Sequence, residues 1–358
     1  MEHARKEAMV MIPEKAIREI ELAEHQGAPP PKSGHFVKKV TFVDHPELSG
    51  LGFLKYCEKR SYCELHAKYT VGISVLYRAT LGKRAAQERL VYNTQDQIVG
   101  TVSVAIPNFY PMQNILAPSS SNFEKETLTN PTQSTLDKKN IAELLVASWR
   151  HKEDDLHPGN ISTEGRIDFD MSWYNHVSSV FKGERITSGS LQTTPALGTI
   201  LQEEDLHRFP RLSSTRTHWP SHTLPKNGNA AKIYKSQPVF KNLYQSKKFE
   251  EQVFSALRKE LLSFQGKPLK ERLVDQLGSE RINLDSLKSK GDGRNERKDE
   301  LLNLLETNFF YNKSPTGVLH EKSIVENIIA IAAHEFSSFY KVVINYSKYG
   351  EFIQENPN

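Results

Sequence analysis

The chain has 358 residues, of which 37% are apolar and 25% charged; this is an ordinary composition for a globular protein of one two-lobed domain or two smaller ones. Its purely apolar runs span only a few residues, which argues against a transmembrane helix. Residues 1–28 mix Glu, Lys and Arg and lack the apolar centre of a signal peptide. We therefore expect a cytoplasmic protein without signal-peptide export.

The first third of the chain predicts a small β-rich unit behind a helical extension. Residues 5–25 predict an exposed amphipathic helix, within an extension of residues 1–34 that contains three consecutive prolines. Segments rich in β-branched and aromatic residues predict strands at 35–43, 52–56, 88–93 and 97–106. Between the second and third strands, residues 61–81 predict a helix. The β-rich unit thus covers residues 35–111.

The rest of the chain predicts a linker followed by a helical unit. Residues 112–140 are rich in Ser, Thr, Asn and Gln, which is typical of a flexible insertion. Helical periodicity returns at Ile141, Leu144, Leu145 and Trp149, and further helices are predicted at 248–264, 296–308 and 320–346. Strands are scarce beyond residue 172. The predicted fold class is α+β, with the larger helical unit over residues 141–358.

The segment 141–172, IAELLVASWRHKEDDLHPGNISTEGRIDFDMS, carries the strongest functional signal. After a helix that ends near His151, the chain reads Asp155-Leu-His-Pro-Gly-Asn160. A tight hairpin with Gly165 at its turn follows, and its second strand leads into Asp168-Phe-Asp170. Carboxylate and amide oxygens are ligands that hard divalent cations such as Mg²⁺ prefer.

This segment resembles the catalytic loop and metal-binding motif of protein kinases, where an Asp precedes an Asn by five positions and a hairpin carries a second Asp as D-F-G. D-L-H-P-G-N followed by I-D-F-D resembles aminoglycoside and choline kinases even more closely than ordinary protein kinases. The resemblance implies a bilobal protein-kinase-like fold with a small β-rich N-lobe and a larger helical C-lobe. It also implies ATP as phosphate donor and Mg²⁺ or Mn²⁺ as cofactor.

The resemblance assigns roles to the four polar residues of the motif. Asp155 would orient the substrate hydroxyl as the catalytic group. Asn160 and Asp168 would hold the metal ion and the nucleotide, with Asp170 as a further metal ligand. The pattern departs from the family in two places, because Glu153-Asp154 replaces the His-Arg pair before the catalytic Asp, and Asp170 replaces the Gly of D-F-G.

The family also implies a strand lysine that contacts the ATP phosphates and pairs with a helix glutamate. Lys55 and Glu64 fit these two positions, with Lys59 and Glu88 as rival candidates. Residues 106–111, beginning at Ile106, would form the hinge whose backbone meets adenine. The glycine-rich phosphate loop of protein kinases has no counterpart in this sequence.

A basic stretch without Asp or Glu runs from Leu206 to Lys248 and predicts an anionic partner. Its scattered aromatic residues argue against nucleic acid, and its prolines and glycines argue against a membrane helix. A compact polyphosphate and a plain solvated surface remain as interpretations. The candidate anion ligands are basic side chains: Arg208, Arg211, Arg216, His218, Lys232, Lys235 and Lys241.

The chain also resembles effector kinases that intracellular bacterial pathogens inject into host cells, because its motifs are remote and it lacks an export signal. That resemblance implies a host inositol polyphosphate, such as inositol hexakisphosphate, as activator. The leading expectation is an atypical protein serine/threonine kinase. A lipid or small-molecule kinase is the alternative within catalysis, and a catalytically silent kinase fold that binds partners is the alternative outside it.

The anion hypothesis predicts tight binding of inositol hexakisphosphate at physiological salt, measured by calorimetry. Charge reversal in Lys232→Glu/Lys235→Glu should abolish that binding, because two attractive charges become repulsive. The absence of binding heat with the unaltered protein would leave the stretch as a solvated surface.

Overall fold

A computed structural model provides the fold. It describes residues 18–24, 37–43, 50–56, 63–93, 95, 97–112, 132–153, 155–156, 159–173, 201–210, 242–263, 273, 280–283 and 321–356. Within these ranges the chain has an α+β fold, as the sequence predicts.

The described strands form one sheet that closes on itself in the order β1-β2-β3-β5-β4-β6. The pairs β1-β2, β2-β3, β3-β5 and β4-β5 are antiparallel, and β6 lies parallel to both β1 and β4. The strand bounds are β1 Arg18–Glu24, β2 Val37–Val43, β3 Leu51–Tyr56, β4 Gln87–Tyr92, β5 Ile98–Val104 and β6 Glu280–Asn283.

Two of these strands differ from the sequence predictions. Residues 18–24 form β1 instead of part of a helix, because Ile20 and Leu22 alternate with glutamates and so satisfy the strand period as well as the helical one. The other residues of the predicted N-terminal helix lie outside the described residues. Strand β6 was not predicted, since four residues carry too little periodicity to be recognised. It adds a strand from the C-terminal part of the chain to the N-terminal sheet.

Seven α-helices occur in the described ranges, and most lie where periodicity predicts them. The predicted linker ends in a helix, α2, because Thr132 accepts a hydrogen bond from the Thr135 N–H and caps it. The predicted helix at 296–308 lies outside the described residues. The helix bounds are α1 Cys63–Leu81, α2 Gln133–Lys138, α3 Ile141–Arg150, α4 Glu203–His207, α5 Lys247–Ser263, α6 Glu321–Asn345 and α7 Ser347–Glu355.

Helix α1 joins the sheet to the helical part of the core. It packs on β4 and β5 on one side and on α3, α5 and α6 on the other. Its side chains Tyr69 and Tyr77 are fully buried in the same apolar core as Trp149 of α3 and Phe339 of α6. None of the described helices is long and apolar enough to cross a membrane.

Arg84, which follows α1 in a 3₁₀ turn, ties the sheet side to the start of α3. One guanidinium nitrogen lies 2.6 Å from a carboxylate oxygen of Glu143, and the other lies 2.6 Å from the main-chain oxygen of Lys139. The Arg166 N–H donates to the Arg84 carbonyl, and the Ala86 N–H donates to the Arg166 carbonyl. These two main-chain hydrogen bonds hold the 161–166 hairpin against this turn. The chain that follows β5 returns to the same hairpin, since the Met112 N–H donates to the Ile161 carbonyl.

The pairing of β3 with β5 leaves no space for a side chain at position 100. A Cβ atom on Gly100 would lie 2.3 Å from the main-chain oxygen of Lys55, well inside contact distance. Gly100→Ala should therefore lower the free energy of unfolding by about 1–3 kcal/mol, measured by urea denaturation. Gly350→Ala in α7 is the matched control, because a Cβ there meets nothing within 4 Å and should stabilise the helix by about 0.5–1 kcal/mol. Equal stability of the Gly100 variant and the unaltered protein would contradict the packing described here.

Candidate functional site

Lys55 of β3 meets both aspartates of the Asp168-Phe-Asp170 segment. Its Nζ atom lies 2.6 Å from Oδ2 of Asp170 and 3.2 Å from Oδ1 of Asp168. The lysine side chain is 24% exposed and the two aspartates are 15% and 33% exposed, in the order Asp170 then Asp168, so the cluster remains open to solvent. Residues more than a hundred positions apart in the sequence thus form one charged cluster.

The charges in this cluster are strongly coupled. Burial by itself lowers the pKa of Lys55, but the carboxylates of Asp170 and Asp168 more than reverse that effect and raise the pKa above its ordinary value. The lysine is therefore cationic at neutral pH. One cation facing two carboxylates leaves an excess negative charge, which suits the approach of a further cation.

A short hairpin delivers Asp168 to the cluster. Ile161 and Arg166 form an antiparallel bridge, and the Ser162 N–H donates to the Gly165 carbonyl across the predicted turn. Asp168 itself has a φ of 63°, in the left-handed region that few residues other than Gly adopt. This backbone conformation costs free energy, and such strained residues are concentrated at functional sites.

Phe169 anchors the segment between the two aspartates. Its side chain is fully buried, and its ring stacks on Tyr77 of α1 with the centroids 4.5 Å apart. On the same segment, the main-chain oxygen of Asp170 lies 3.0 Å from Nε2 of His66, also on α1. Helix α1 therefore holds the aspartate segment from two points along its length.

Asp155 and Asn160 belong to one loop, as the spacing predicts. Nδ2 of Asn160 donates to the main-chain oxygen of Asp155 over 3.2 Å. The side-chain oxygen Oδ1 is then the atom of Asn160 that is able to ligate a cation. Asn160 is buried, and its main-chain carbonyl accepts a hydrogen bond from the Ile167 N–H at the base of the hairpin. This hydrogen bond connects the Asp155 loop to the strand that leads to Asp168.

The structure does not bring the predicted Lys55–Glu64 pair together. Glu64 is exposed and pairs with Lys68 one helical turn further on, at 2.8 Å, whereas the ion pairs of Lys55 are with the two aspartates. The i, i+4 spacing on α1 explains this choice. Lys59, the rival lysine, lies outside the described residues.

Glu88 of β4 is the rival acid that does lie near the cluster. It is buried and pairs across the sheet with Ser103, whose hydroxyl donates to its carboxylate over 2.8 Å. Burial raises the pKa of Glu88 from 4.5 to about 7; Ser103 opposes the shift, and the charges of Asp168, Lys55 and Asp170 also act on it. Glu88 thus changes protonation near neutral pH while electrostatically coupled to the candidate site.

The predicted hinge begins at a buried residue. Ile106 is 8% exposed, and its carbonyl accepts the Phe109 N–H over 3.2 Å in a tight turn. Phe109 packs against the core, and Tyr110 beside it is exposed. The turn follows the end of β5, and the chain after it reaches the 161–166 hairpin through the Met112–Ile161 hydrogen bond.

The oxygen ligands near the cluster can be compared with what a divalent cation requires. Within the described ranges, no three His, Cys, Asp or Glu side chains form a cluster that could by itself hold a metal ion. Asp168 and Asp170 supply two carboxylates at Lys55, and Asn160 supplies an amide from the loop that its main-chain oxygen joins to Ile167. Mg²⁺ in nucleotide sites characteristically uses one or two carboxylates and completes its shell with water and phosphate oxygens, so this set fits it.

Arg166, Glu153 and Tyr77 were not singled out from the sequence. Arg166 and Glu153 form a buried ion pair in which both side chains are fully shielded from solvent. Charged residues in a hairpin and after a helix ordinarily face water, so sequence alone favours a solvated position for both. The replacement of the family's His-Arg pair by Glu153-Asp154 was the one available signal.

Only one of the predicted anion ligands lies among the described residues. Arg208 is exposed beyond the end of α4. The other candidate ligands, Arg211, Arg216, His218, Lys232, Lys235 and Lys241, lie outside the described residues, and the polyphosphate site stays a prediction.

Comparison with known proteins does not assign the chain to a family. No protein-family model matches it, and no curated protein matches its sequence.

The buried carboxyl of Glu88 predicts a specific pH dependence of stability. Because its pKa is higher in the folded protein than in the unfolded chain, the folded state retains this proton between about pH 4.5 and 7 and the unfolded state does not. This contribution to the free energy of unfolding is complete below pH 4.5 and is lost as the pH rises through 7. Glu88→Gln should therefore be more stable than the unaltered protein by roughly 1–4 kcal/mol at pH 8, with little difference at pH 4.5.

Denaturant unfolding at a series of pH values tests this expectation. Glu351→Gln, at an exposed position of α7, is the control and should leave the pH profile unchanged. A Glu88→Gln profile parallel to that of the unaltered protein would contradict a buried, neutralised carboxyl.

Proposed function

We propose that the protein is an ATP-dependent phosphotransferase of a bilobal, protein-kinase-like type that transfers phosphate to a hydroxyl group, with a serine or threonine of a protein as the preferred acceptor. The observation that carries the proposal is the contact of the third-strand lysine, Lys55, with Asp168 and Asp170 at 3.2 and 2.6 Å. In protein kinases the third-strand lysine and the D-F-G aspartate serve the same nucleotide phosphates and metal ions.

The order of elements supports a two-lobed arrangement. Strands β1 to β5 and α1 precede the turn at Ile106, and the helical part with the Asp155 loop follows it, with β6 returning to the sheet from the C-terminal part. The cluster uses Lys55 from the sheet and Asp168 and Asp170 from beyond the turn, so it joins the two parts. A nucleotide site between lobes requires such an arrangement.

Lys55 and the aspartates have complementary tasks in phosphoryl transfer. Lys55, held cationic by its neighbours, binds phosphate oxygens of the nucleotide through its ammonium group. Asp168, Asp170 and Asn160 would hold Mg²⁺ or Mn²⁺, which neutralises charge on the phosphates when bound. Lys55 partly balances the charge of the two carboxylates, and a bound nucleotide with its metal ion would redistribute these contacts.

Asp155 is the group that orients the acceptor. Its backbone N–H is fixed to Glu153 and its carbonyl to Asn160, and its side chain is partly exposed. Because the main chain of Asp155 is fixed on both sides, its carboxylate is already positioned to accept the hydroxyl proton. Orientation of this kind lowers the barrier to transfer.

The proposal predicts separate effects for the two kinds of aspartate. Asp155→Ala should lower kcat by about 10²–10⁴-fold and leave the affinity for ATP within a few-fold, because it removes the group that orients the hydroxyl. Asp168→Ala should abolish metal-dependent nucleotide binding, because it removes a metal ligand. Labelled-ATP turnover and nucleotide titration with and without Mg²⁺ measure both effects.

Glu251→Ala, at an exposed acid of α5, is the control and should match the unaltered protein in both assays. Label on added protein supports the preferred acceptor, whereas label on an added lipid or sugar supports the small-molecule alternative. Nucleotide binding without transfer under any condition supports the silent alternative. Unchanged turnover in either aspartate variant removes these residues from the site.

A further inference from the structure

Arg166 is a fully buried cation whose donors reach four different parts of the molecule. Its guanidinium donates to the Glu153 carboxylate and the Ser148 hydroxyl, and at 3.2 Å each to the Tyr77 hydroxyl and the main-chain oxygen of Asp168. The planar, five-donor guanidinium is the side chain best suited to hold several acceptors in one fixed geometry.

Glu153 completes the connection to the Asp155 loop. One carboxylate oxygen accepts the Asp155 N–H over 3.0 Å, and the other accepts from Arg166 and from the Ser172 hydroxyl. The ion pair therefore holds the backbone of Asp155 at one end and the backbone of Asp168 at the other.

Stability alone is a poor explanation for this pair. Burying two charges carries a large desolvation cost, and apolar side chains of the same volume often stabilise a core equally well or better. The rings of Tyr77 and Phe169, with centroids 4.9 and 5.3 Å from the guanidinium carbon, offset part of that cost. What an apolar pair cannot supply is directional hydrogen bonding to two aspartate backbones at once.

We propose that the Glu153–Arg166 pair is a positioning device that sets Asp155 and Asp168 relative to each other. This inference rests on the proposed function, in which Asp155 orients the acceptor and Asp168 serves the metal-bound nucleotide. Transfer requires the acceptor hydroxyl and the phosphate to be closely aligned. The Glu153–Arg166 pair connects Asp155 and Asp168, the residues that position these two groups, through only two side chains. The bond to the Asp168 carbonyl also holds that residue in its left-handed conformation.

The apolar double variant Glu153→Leu/Arg166→Met tests the proposal, because it leaves neither charge unpaired. The three hydroxyl groups around the pair keep other partners, since Tyr77 and Ser172 bond each other at 3.0 Å and Ser148 donates to the Leu144 carbonyl over 2.7 Å. We expect near-unchanged thermal stability, an ATP KM within about threefold, and a kcat lower by about 10–100-fold, as is usual when partners of functional ligands are removed.

A second buried pair provides the matched control. Arg150 and Glu260, 5% and 3% exposed and 3.2 Å apart, join α3 to α5. Arg150→Met/Glu260→Leu is the same chemical change away from the site. It should leave kcat unchanged. A fall of kcat in the Glu153→Leu/Arg166→Met variant alone would then result from the loss of aspartate positioning and not from the removal of a buried ion pair as such.

Hydrogen exchange of residues 155–170 is a readout independent of activity. In the Glu153→Leu/Arg166→Met variant, amides near Asp155 and Asp168 should exchange at least tenfold faster than in the unaltered protein and in the control variant. Wild-type kcat together with wild-type exchange in this variant would overturn the inference. A protein without any ATP turnover would end the proposed function, and the exchange rates would still decide whether the pair positions the two aspartates.

Arg166→Lys covers the case in which the double variant does not fold. It keeps the buried charge, but one ammonium group cannot reach four acceptors spread around a guanidinium. The expected result is again a reduced kcat at little-changed ATP KM. Full turnover by Arg166→Lys would overturn the proposal.

Discussion

The ion pairs of Lys55 with Asp168 and Asp170 connect the two parts of the molecule at its candidate site. Lys55 comes from β3, which pairs with β2 and β5, and the aspartates come from the segment that follows the 161–166 hairpin. Because strong ion pairs in partly exposed positions depend on precise placement of both partners, the sheet and the hairpin must be held rigidly behind them. Much of the surrounding structure serves that requirement.

Helix α1 contacts both the sheet and the aspartate segment. It packs on the sheet that carries Lys55, stacks Tyr77 on Phe169, and contacts the main chain of Asp170 through His66. The buried pair of Arg166 and Glu153 lies against the same tyrosine and extends the connection to the Asp155 loop. One helix and one ion pair thus bring the sheet, the hairpin and the loop to a common site.

The departures from the protein-kinase pattern have a consistent physical interpretation. Where that pattern has His-Arg before the catalytic aspartate, this chain has Glu153-Asp154, and an arginine stands at position 166 on the neighbouring hairpin strand. In this chain, the acid on the loop and the base on the strand form a buried ion pair. Likewise Glu64 pairs locally with Lys68, while Asp170, in place of glycine, gives Lys55 a second acid.

The sequence by itself determined the features that depend on neighbours in the chain. The periodicity of α1, α3 and α5, the strands β2 to β5, the hairpin turn at Gly165 and the spacing of Asp155 and Asn160 are local patterns, and the structure has these elements where the patterns predict them. Tertiary structure decided what depends on distant partners. It placed 18–24 in a strand, added β6 to the sheet, paired Lys55 with two aspartates instead of Glu64, and buried Arg166 against Glu153. Local propensity carries no information about such contacts, because their energies come from burial and charge pairing between residues far apart in the chain.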